Sequence, residues 1–338
     1  MGSIMIITTH AYARAGLVGN PSDGYFGKTI SFSIRNYKAT IKLWESPHFE
    51  IILGPADYAR YASVNEFLRE QKLFGYYGGI RLIKGAVKRF HDYFRSQQID
   101  LESRVAGFTI CYESDIPRLV GMSGSSAIVI ATMRALCQLY NVEIPKPYMP
   151  SLCLSVERDE LGITAGLQDR VIQTYEGMVF MDFKRELVEK QGHGIYENLT
   201  PASMPPLYVA FDPDRAEVSD VPHRNLKQLW NQGDRTVVAA MRELADLTDR
   251  GREALLKGDW DELGRVVDAN YGVRQKIMNI APENHRMVEQ ARSVGCSAHF
   301  CGSGGAICGL YKDGRQYQKL VDALAEIRCT VIRPVIFP

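Results

Sequence analysis

Residues 117–131, PRLVGMSGSSAIVIA, set glycines and hydroxyls against the start of an apolar run. Gly121 and Gly124 allow tight backbone turning, Ser123, Ser125 and Ser126 bring hydroxyls, and Met122 lies between. The run behind them starts a helix whose first-turn N–H groups are free. The stretch can therefore cradle an anion at the positive end of a helix dipole; the alternative is a serine cap after a glycine loop. It is neither a Walker A loop nor a G-x-G-x-x-G turn. In VERDELGITAGLQDRV, Glu157 sits on one helix and Asp169 opens the next, after a glycine-bracketed turn. Acids from separate elements can converge there on a hard cation such as Mg²⁺, which takes one or two carboxylates with phosphate and water. Solvated surface acids are the alternative. GNPSDGYFG, residues 19–27, is a run of mostly turn-forming residues flanked by Arg14 and Lys28. CGSGGAICG, residues 301–309, is either a tight hairpin or a close backbone approach to a ligand.

These loops need elements to hold them. IMIITTHAYARAGLVG reads as one or two strands and KTISFSIRNYKATIKLW as a strand pair, with the GNPSDGYFG loop between. EFLREQKLFG and GIRLIKGAVKRFHDYFRSQ carry helical spacing, AGFTICYESDIP is a strand, and a long apolar helix follows the serine loop. SLCLSVERDELG is a helix stopped by Gly162, LQDRVIQTYEG one stopped by Gly177, and MVFMDF a strand. QGHGIYENLTPASMPP gathers loop formers, which puts a domain boundary within 190–206 and divides the chain into 1–195 and 196–338. Beyond it come a strand (LYVAFDP), three amphipathic helices, two strands around the 301–309 turn, a helix and a last strand, TVIRPVIF.

Bulk composition excludes several classes of function. The 338 residues are 46% hydrophobic and carry a net charge of +1, which argues against a nucleic-acid or acidic-membrane partner. No apolar run approaches a membrane span, and MGSIMIITTH lacks a secretory core and cleavage site, so a cytoplasmic location is expected. Seven cysteines without a C-x-x-C pair read as buried reduced thiols. Seven scattered histidines offer no zinc spacing.

In order and separation, the polar loop behind an arginine-bearing strand, the GMSGSSA loop-to-helix, the acidic pair and the late GSGG turn resemble the GHMP kinase superfamily. Within it the chain is most similar to the glucuronokinases, through ARAGLVGNPSDGYFG, GYYGGIRL, AGLQDRV, GHGIY, PPL and SGGA. Heptose phosphate kinases share the Gln168–Asp169 pair but not the whole Asn-Pro-Ser-Asp run. The loop departs from the commoner G-L-G-S-S-A form by one inserted residue, leaving Ser125 and Ser126 as alternative matches.

The resemblance implies an α+β, two-domain fold: an N-terminal domain like ribosomal protein S5 domain 2 and a C-terminal ferredoxin-like domain, with ATP and a sugar in the cleft. ATP phosphates would rest on Gly121, Met122, Ser123, Gly124, Ser125 and Ser126. Mg²⁺ would bind Ser125 and Glu157, Asp169 would be the catalytic base, and Arg14 would stabilise the transferring phosphoryl group. Asn20, Ser22, Asp23 and Tyr25 would bind the acceptor, with Asn20 and Pro21 standing where galactose-kinase relatives carry an acid and a histidine. Lys28 or Arg170 would hold a uronate carboxylate. Gly302, Ser303, Gly304 and Gly305 would close the site from the second domain. The implied reaction is ATP plus D-glucuronate giving ADP and α-D-glucuronate 1-phosphate, in salvage towards UDP-glucuronate. Galacturonate or a heptose phosphate is the alternative acceptor, and a silent ATP- and sugar-binding sensor the alternative of another class.

Overall fold

Two long antiparallel strands carry the first half of the molecule. The computed structural model describes residues 5–52, 78–101, 103–213 and 220–337, with the backbone alone at 220–225. The helix expected over EFLREQKLFG and the first residues of GYYGG lie outside these. Strand β1 (Ile7–Val18) is one strand, buried continuously from Ala13 onward. Strand β2 (Lys28–Glu45) is also a single strand of 18 residues, so the expected strand pair is corrected. Around Arg35 and Asn36 β2 bends: Tyr12 faces Lys38 while Ala13 faces Ile34. The extra residues of the bend bind the C-terminal tail, Arg35 N donating to Val335 O and Asn36 Nδ2 to Arg333 O.

One edge of β2 is covered by β1. Its other edge is shared by β4 (Phe108–Ser114) along residues 39–45 and β5 (Met178–Asp182) along 28–32. A short β3 (Glu50–Ile51) runs parallel to β4, and β6 (Ile195–Asn198) antiparallel to β5. Because β6 belongs to this sheet, the first half extends past residue 195, and the chain leaves it only in the 199–206 connection.

Helix α1 (Gly79–Ser96) packs against α2 (Gly124–Tyr140), with Phe90 lying over Tyr140 at 5.9 Å between rings. Helix α2 is apolar on nearly every face, as a helix needs to be when it is enclosed. It lies on β1 and β2, and Thr9 Oγ1 donates to Ala131 O at 2.7 Å. Helix α3 (Met149–Ser155) runs into a single π-type turn, Val156–Glu160, before Gly162 ends it; α4 (Gln168–Tyr175) and α5 (Arg185–Gln191) follow. Neither α5 nor β6 is legible in the strand–helix pattern of the sequence.

The second sheet has the order β10–β7–β9–β8, formed by β7 (Leu207–Phe211), β8 (His299–Phe300), β9 (Ala306–Leu310) and β10 (Thr330–Ile332), with every pair antiparallel. Helices α6 (Asp220–Asn231), α7 (Arg235–Lys257), α8 (Trp260–Ile277) and α9 (Pro282–Ser293) separate β7 from β8, and α10 (Gly314–Ala325) joins β9 to β10. This is the split βαβ plan of the ferredoxin-like fold. Helix α9 is a further element absent from the sequence reading. Its apolar side is narrow, and what it buries is Asn284, Met287, Val288 and Ala291.

The halves share one core. Helix α7 lies on the first sheet at Gly251, where an added Cβ would meet Val18 at 3.2 Å and Ile30 at 3.7 Å. The same apolar cluster runs from Ile7 to Leu310. Among the described residues no helix is long and apolar enough to cross a membrane.

Candidate active site

Arg14 stands near the middle of β1 with its side chain only 5% exposed. Its Nε donates to Asp169 Oδ1 at 2.7 Å, and its Nη1 to Gly121 O at 2.6 Å and Cys301 O at 2.9 Å. One guanidinium thus ties together the first turn of α4, the serine loop and the late glycine turn. The two loops touch directly. A Cβ on Gly302 would sit 2.6 Å from Gly121 O, and one on Gly121, at φ +74°, would sit 2.5 Å from Gly304 O. No side chain fits at either place, which is why both loops need glycine.

The N-terminus of α2 opens beside this junction. Ser123 takes a left-handed conformation (φ 63°) that turns the chain into the helix. By helix geometry the first N–H groups, those of Gly124, Ser125 and Ser126, lack intrahelical acceptors. Ser125 Oγ donates to Glu157 Oε1 at 2.8 Å, so the helix start and the π-type turn meet. Ser126 is buried and donates to Ser123 O, and Met122 is buried in the core while its carbonyl accepts from Arg14 N. The Ser126 hydroxyl is thus engaged within the fold, and the Met122 side chain packs inward beneath the loop. Ser123 Oγ is buried without a well-formed hydrogen bond, close enough to Asp169 to favour its ionised form.

Two carboxylates face each other with opposite tendencies. Burial alone would raise the pKa of Asp169, but the charges of Arg14 and then Arg170, with the hydrogen bond from Arg14 and the nearby Ser123 hydroxyl, hold it down at about 2. Asp23 lies in the short 3₁₀ turn Ser22–Tyr25 and accepts from Gln168 N at 3.2 Å. Burial and then the neighbouring Asp169 charge push its pKa up to about 6, against backbone donors and Arg14. At neutral pH Asp169 is ionised, and Asp23 is poised one unit below.

Several expected contacts resolve differently. Arg170 is 2% exposed; its Nε donates to Glu157 Oε2 at 2.9 Å, its Nη2 to the same oxygen, and its Nη1 to Gly166 O. Every nitrogen is used inside the fold, so Arg170 neutralises Glu157 and is not open to a substrate carboxylate. Lys28 Nζ is paired with Asp249 on α7 at 2.7 Å, so the second expected carboxylate ligand already has an acidic partner. Ser22 Oγ donates to Lys28 O at 2.8 Å and stabilises the turn from within. Tyr25 is buried edge-on to Trp230 at 5.2 Å between rings. Asn20 is 8% exposed, its Oδ1 accepting from Arg274 Nη1 at 2.8 Å and its Nδ2 donating to Gln168 Oε1 at 3.4 Å. These three brace the 19–27 loop. Asp23 remains half-exposed in the loop, and Ser303, half-exposed at the tip of the late turn, makes no hydrogen bond among the described residues.

The sequence reading missed a buried polar network behind the loop. Arg274 Nη1 also donates to Gly302 O at 2.8 Å, so α8 fixes the 19–27 loop and the late turn at once. Asn270 Oδ1 accepts from Gly19 N at 2.7 Å. Gly16 O can only accept, so the His299 Nε2 facing it at 3.1 Å carries the proton, and Nδ1 accepts from Asn270. Burial, then the Arg274 charge, depress the His299 pKa to about 3 and keep the ring neutral. Asn284 Oδ1 accepts from Gly305 N at 3.2 Å. The available signal was the spacing Asn270–Arg274, four apart on the buried face of VDANYGVR.

The model of the GHMP kinases N terminal domain matches residues 81–177, and that of the GHMP kinases C terminal domain matches 252–327. Glucuronokinase 1 of Arabidopsis thaliana is 38% identical over 335 residues, spanning 97% of this chain and 91% of that protein. A D-glycero-alpha-D-manno-heptose 7-phosphate kinase of Campylobacter jejuni is 26% identical over about half of each chain, 54% and 53%. In fold, the chain is similar to Lactococcus lactis galactokinase complexed with galactose (TM-score 0.75, 15% identity, 98% and 93% of the chains covered). It is also similar to Methanococcus jannaschii mevalonate kinase (TM-score 0.72, 20% identity, 100% and 99% covered).

Proposed function

Because this chain belongs to the GHMP kinase family, we propose that it transfers the γ-phosphoryl group of ATP to the anomeric hydroxyl of D-glucuronate, giving ADP and α-D-glucuronate 1-phosphate. The observation that carries this reading is the Arg14–Asp169 pair, at 2.7 Å, set beside a glycine–serine helix start. The nature of the acceptor rests on the likeness to the Arabidopsis glucuronokinases over nearly the whole chain.

The ATP phosphates lie against the N–H groups at the start of α2, where backbone donors and the helix dipole favour negative charge. Ser125 Oγ and Glu157 Oε1, 2.8 Å apart, form an oxygen pair suited to Mg²⁺. No group of three or more His, Cys, Asp or Glu side chains that could hold a metal occurs among the described residues. Mg²⁺ bound there would offset the phosphate charge. Arg170 covers the other Glu157 oxygen and keeps this buried carboxylate in place.

Asp23 accepts from ring hydroxyls, and Asp169 Oδ2 receives the anomeric proton while Arg14 Nε holds Oδ1. A carboxylate with a pKa of about 2 is a weak base. Phosphoryl transfer tolerates that, since its loose transition state develops little charge on the nucleophile until late. Arg14 stands beside Asp169 to stabilise charge on the group in flight.

Coupled ADP release is the test, with ATP–Mg²⁺ against glucuronate, galacturonate, glucose, galactose and heptose phosphates. Glucuronate is expected to give the highest kcat/KM. Comparable turnover on glucose would sink the uronate reading, and ATP binding without turnover on any sugar would make the chain a sensor.

A further inference from the structure

We infer that Lys227 on α6, with Arg185 on α5 beside it, takes the carboxylate of the acceptor sugar. This rests on the proposal that the acceptor is a uronate, and it replaces the two cations that the sequence suggested. Around the acceptor loop, Arg14 is held by Asp169, Arg170 by Glu157 and Lys28 by Asp249. Arg274 is sealed 1% exposed behind Asn20. Lys227 differs from all of these.

Its Nζ donates to Gly24 O at 2.9 Å and lies 5.0 Å from the centre of the Tyr25 ring, so it is fixed to the outer rim of the loop that carries Asp23. A carbonyl and a ring face leave donor capacity on an ammonium, which has three hydrogens to give. It has no carboxylate partner among the described residues. Arg185 stacks on Phe26, two residues along the same loop, at 4.2 Å from the ring centre. Its acidic neighbour, Glu189, is 3.7 Å away on an exposed face, where such pairs contribute little.

The two cations repel each other. Burial first, then the Arg185 charge, lower the Lys227 pKa, and Asp23 alone among the named causes opposes this. Asp23 acts on Lys227 only at a distance, with no ion pair between them among the described residues, so the ammonium lacks a bonded carboxylate. A uronate supplies it. With the anomeric hydroxyl at Asp169 and ring hydroxyls on Asp23, the carboxylate lies across the ring oxygen from the reacting end, towards the rim of the loop. A neutral hexose would leave the same two cations uncompensated.

The experiment measures kcat and KM for glucuronate and for glucose with the full chain at saturating ATP–Mg²⁺, in wild type, Lys227→Met and Lys227→Arg. Lys227→Met is expected to raise KM for glucuronate about 30- to 100-fold, the worth of a charge-assisted contact. Its kcat for glucuronate and its kcat/KM for glucose should stay within about threefold. Lys227→Arg should recover most of the loss, and KM for glucuronate should rise with salt in wild type but little in Lys227→Met. An unchanged glucuronate-to-glucose ratio in Lys227→Met, or an equal loss on both sugars, overturns the inference. A wild type that uses glucose as well as glucuronate overturns the substrate reading and this inference with it. A uronate-preferring wild type whose preference survives Lys227→Met overturns the inference alone.

Discussion

At the scale of single residues, the site is organised by the separation of two acids. Asp169 is held at about 2 by two arginines, while Asp23, close by, is lifted to about 6 by burial and by Asp169 itself. A base that stays ionised and an acceptor that titrates give separate signatures. Asp169→Asn should lower kcat by about 10³-fold, within the usual span for a positioned acid or base, with ATP affinity nearly unchanged by titration calorimetry. Strong loss of ATP binding would assign Asp169 to the nucleotide instead. Asp23 would accept sugar hydroxyls more strongly when ionised, so kcat/KM for the sugar should fall as pH drops through about 6. ATP phosphates titrate in the same range. The control is therefore Asp23→Asn, which should be slower throughout but should lose the part of the acid limb that belongs to the sugar.

At the scale of elements, glycines decide how closely the loops approach. An alanine at 302 would place its Cβ 2.6 Å from Gly121 O, a backbone atom that cannot swing aside, and 3.1 Å from Arg14. Gly302→Ala should cost about a hundredfold in kcat, since a shift near 1 Å at the reacting groups is enough to do that. Gly166→Ala acts on the other ligand. Its Cβ would lie 2.1 Å from Asp23 Oδ2, so KM for the sugar should rise while KM for ATP holds. The junction of α2 with the π-type turn carries the proposed metal pair. Ser125→Ala should raise the Mg²⁺ concentration for half-maximal rate by roughly tenfold. Glu157→Gln is a poor probe there, because it removes the carboxylate that Arg170 bonds through two nitrogens and leaves that buried charge only Asp169, at 3.5 Å, which would destabilise the fold by about 3–5 kcal/mol.

At the scale of the molecule, the halves are joined by buried polar bonds as well as by a shared apolar core. Arg274 bonds to both Asn20 and Gly302, across about 250 residues of sequence to the first of them. Replacing it with methionine leaves two buried acceptors without donors, at about 1–3 kcal/mol each. Removing a desolvated cation, whose pKa burial lowers to about 10, returns part of that. The expected net loss is about 2 kcal/mol, seen as a lower urea midpoint with an unchanged slope. An unaltered midpoint would mean that the apolar core alone holds the halves together.

The sequence by itself determined the local parts. Glycines at 121, 124 and 302, hydroxyls at 123, 125 and 126 and the acids at 157 and 169 were legible because a tight turn or a helix start constrains residue type over a few neighbouring positions. It also determined the order of these loops, and with it the family and the plan of the fold. Tertiary structure decided which charges are available. Lys28 and Arg170 read as cations near a sugar, yet their partners are Asp249, 221 residues away, and Glu157, on a different helix. Lys227 gave no local sign, since its place depends on where α6 lands on the acceptor loop. Likewise the sequence of β2 reads as a strand pair, and only the fold shows one strand whose bend holds the C-terminal tail. Backbone demands are local and leave their mark on composition. Charge pairing is long-range, and only folding selects which of several possible partners each ion meets.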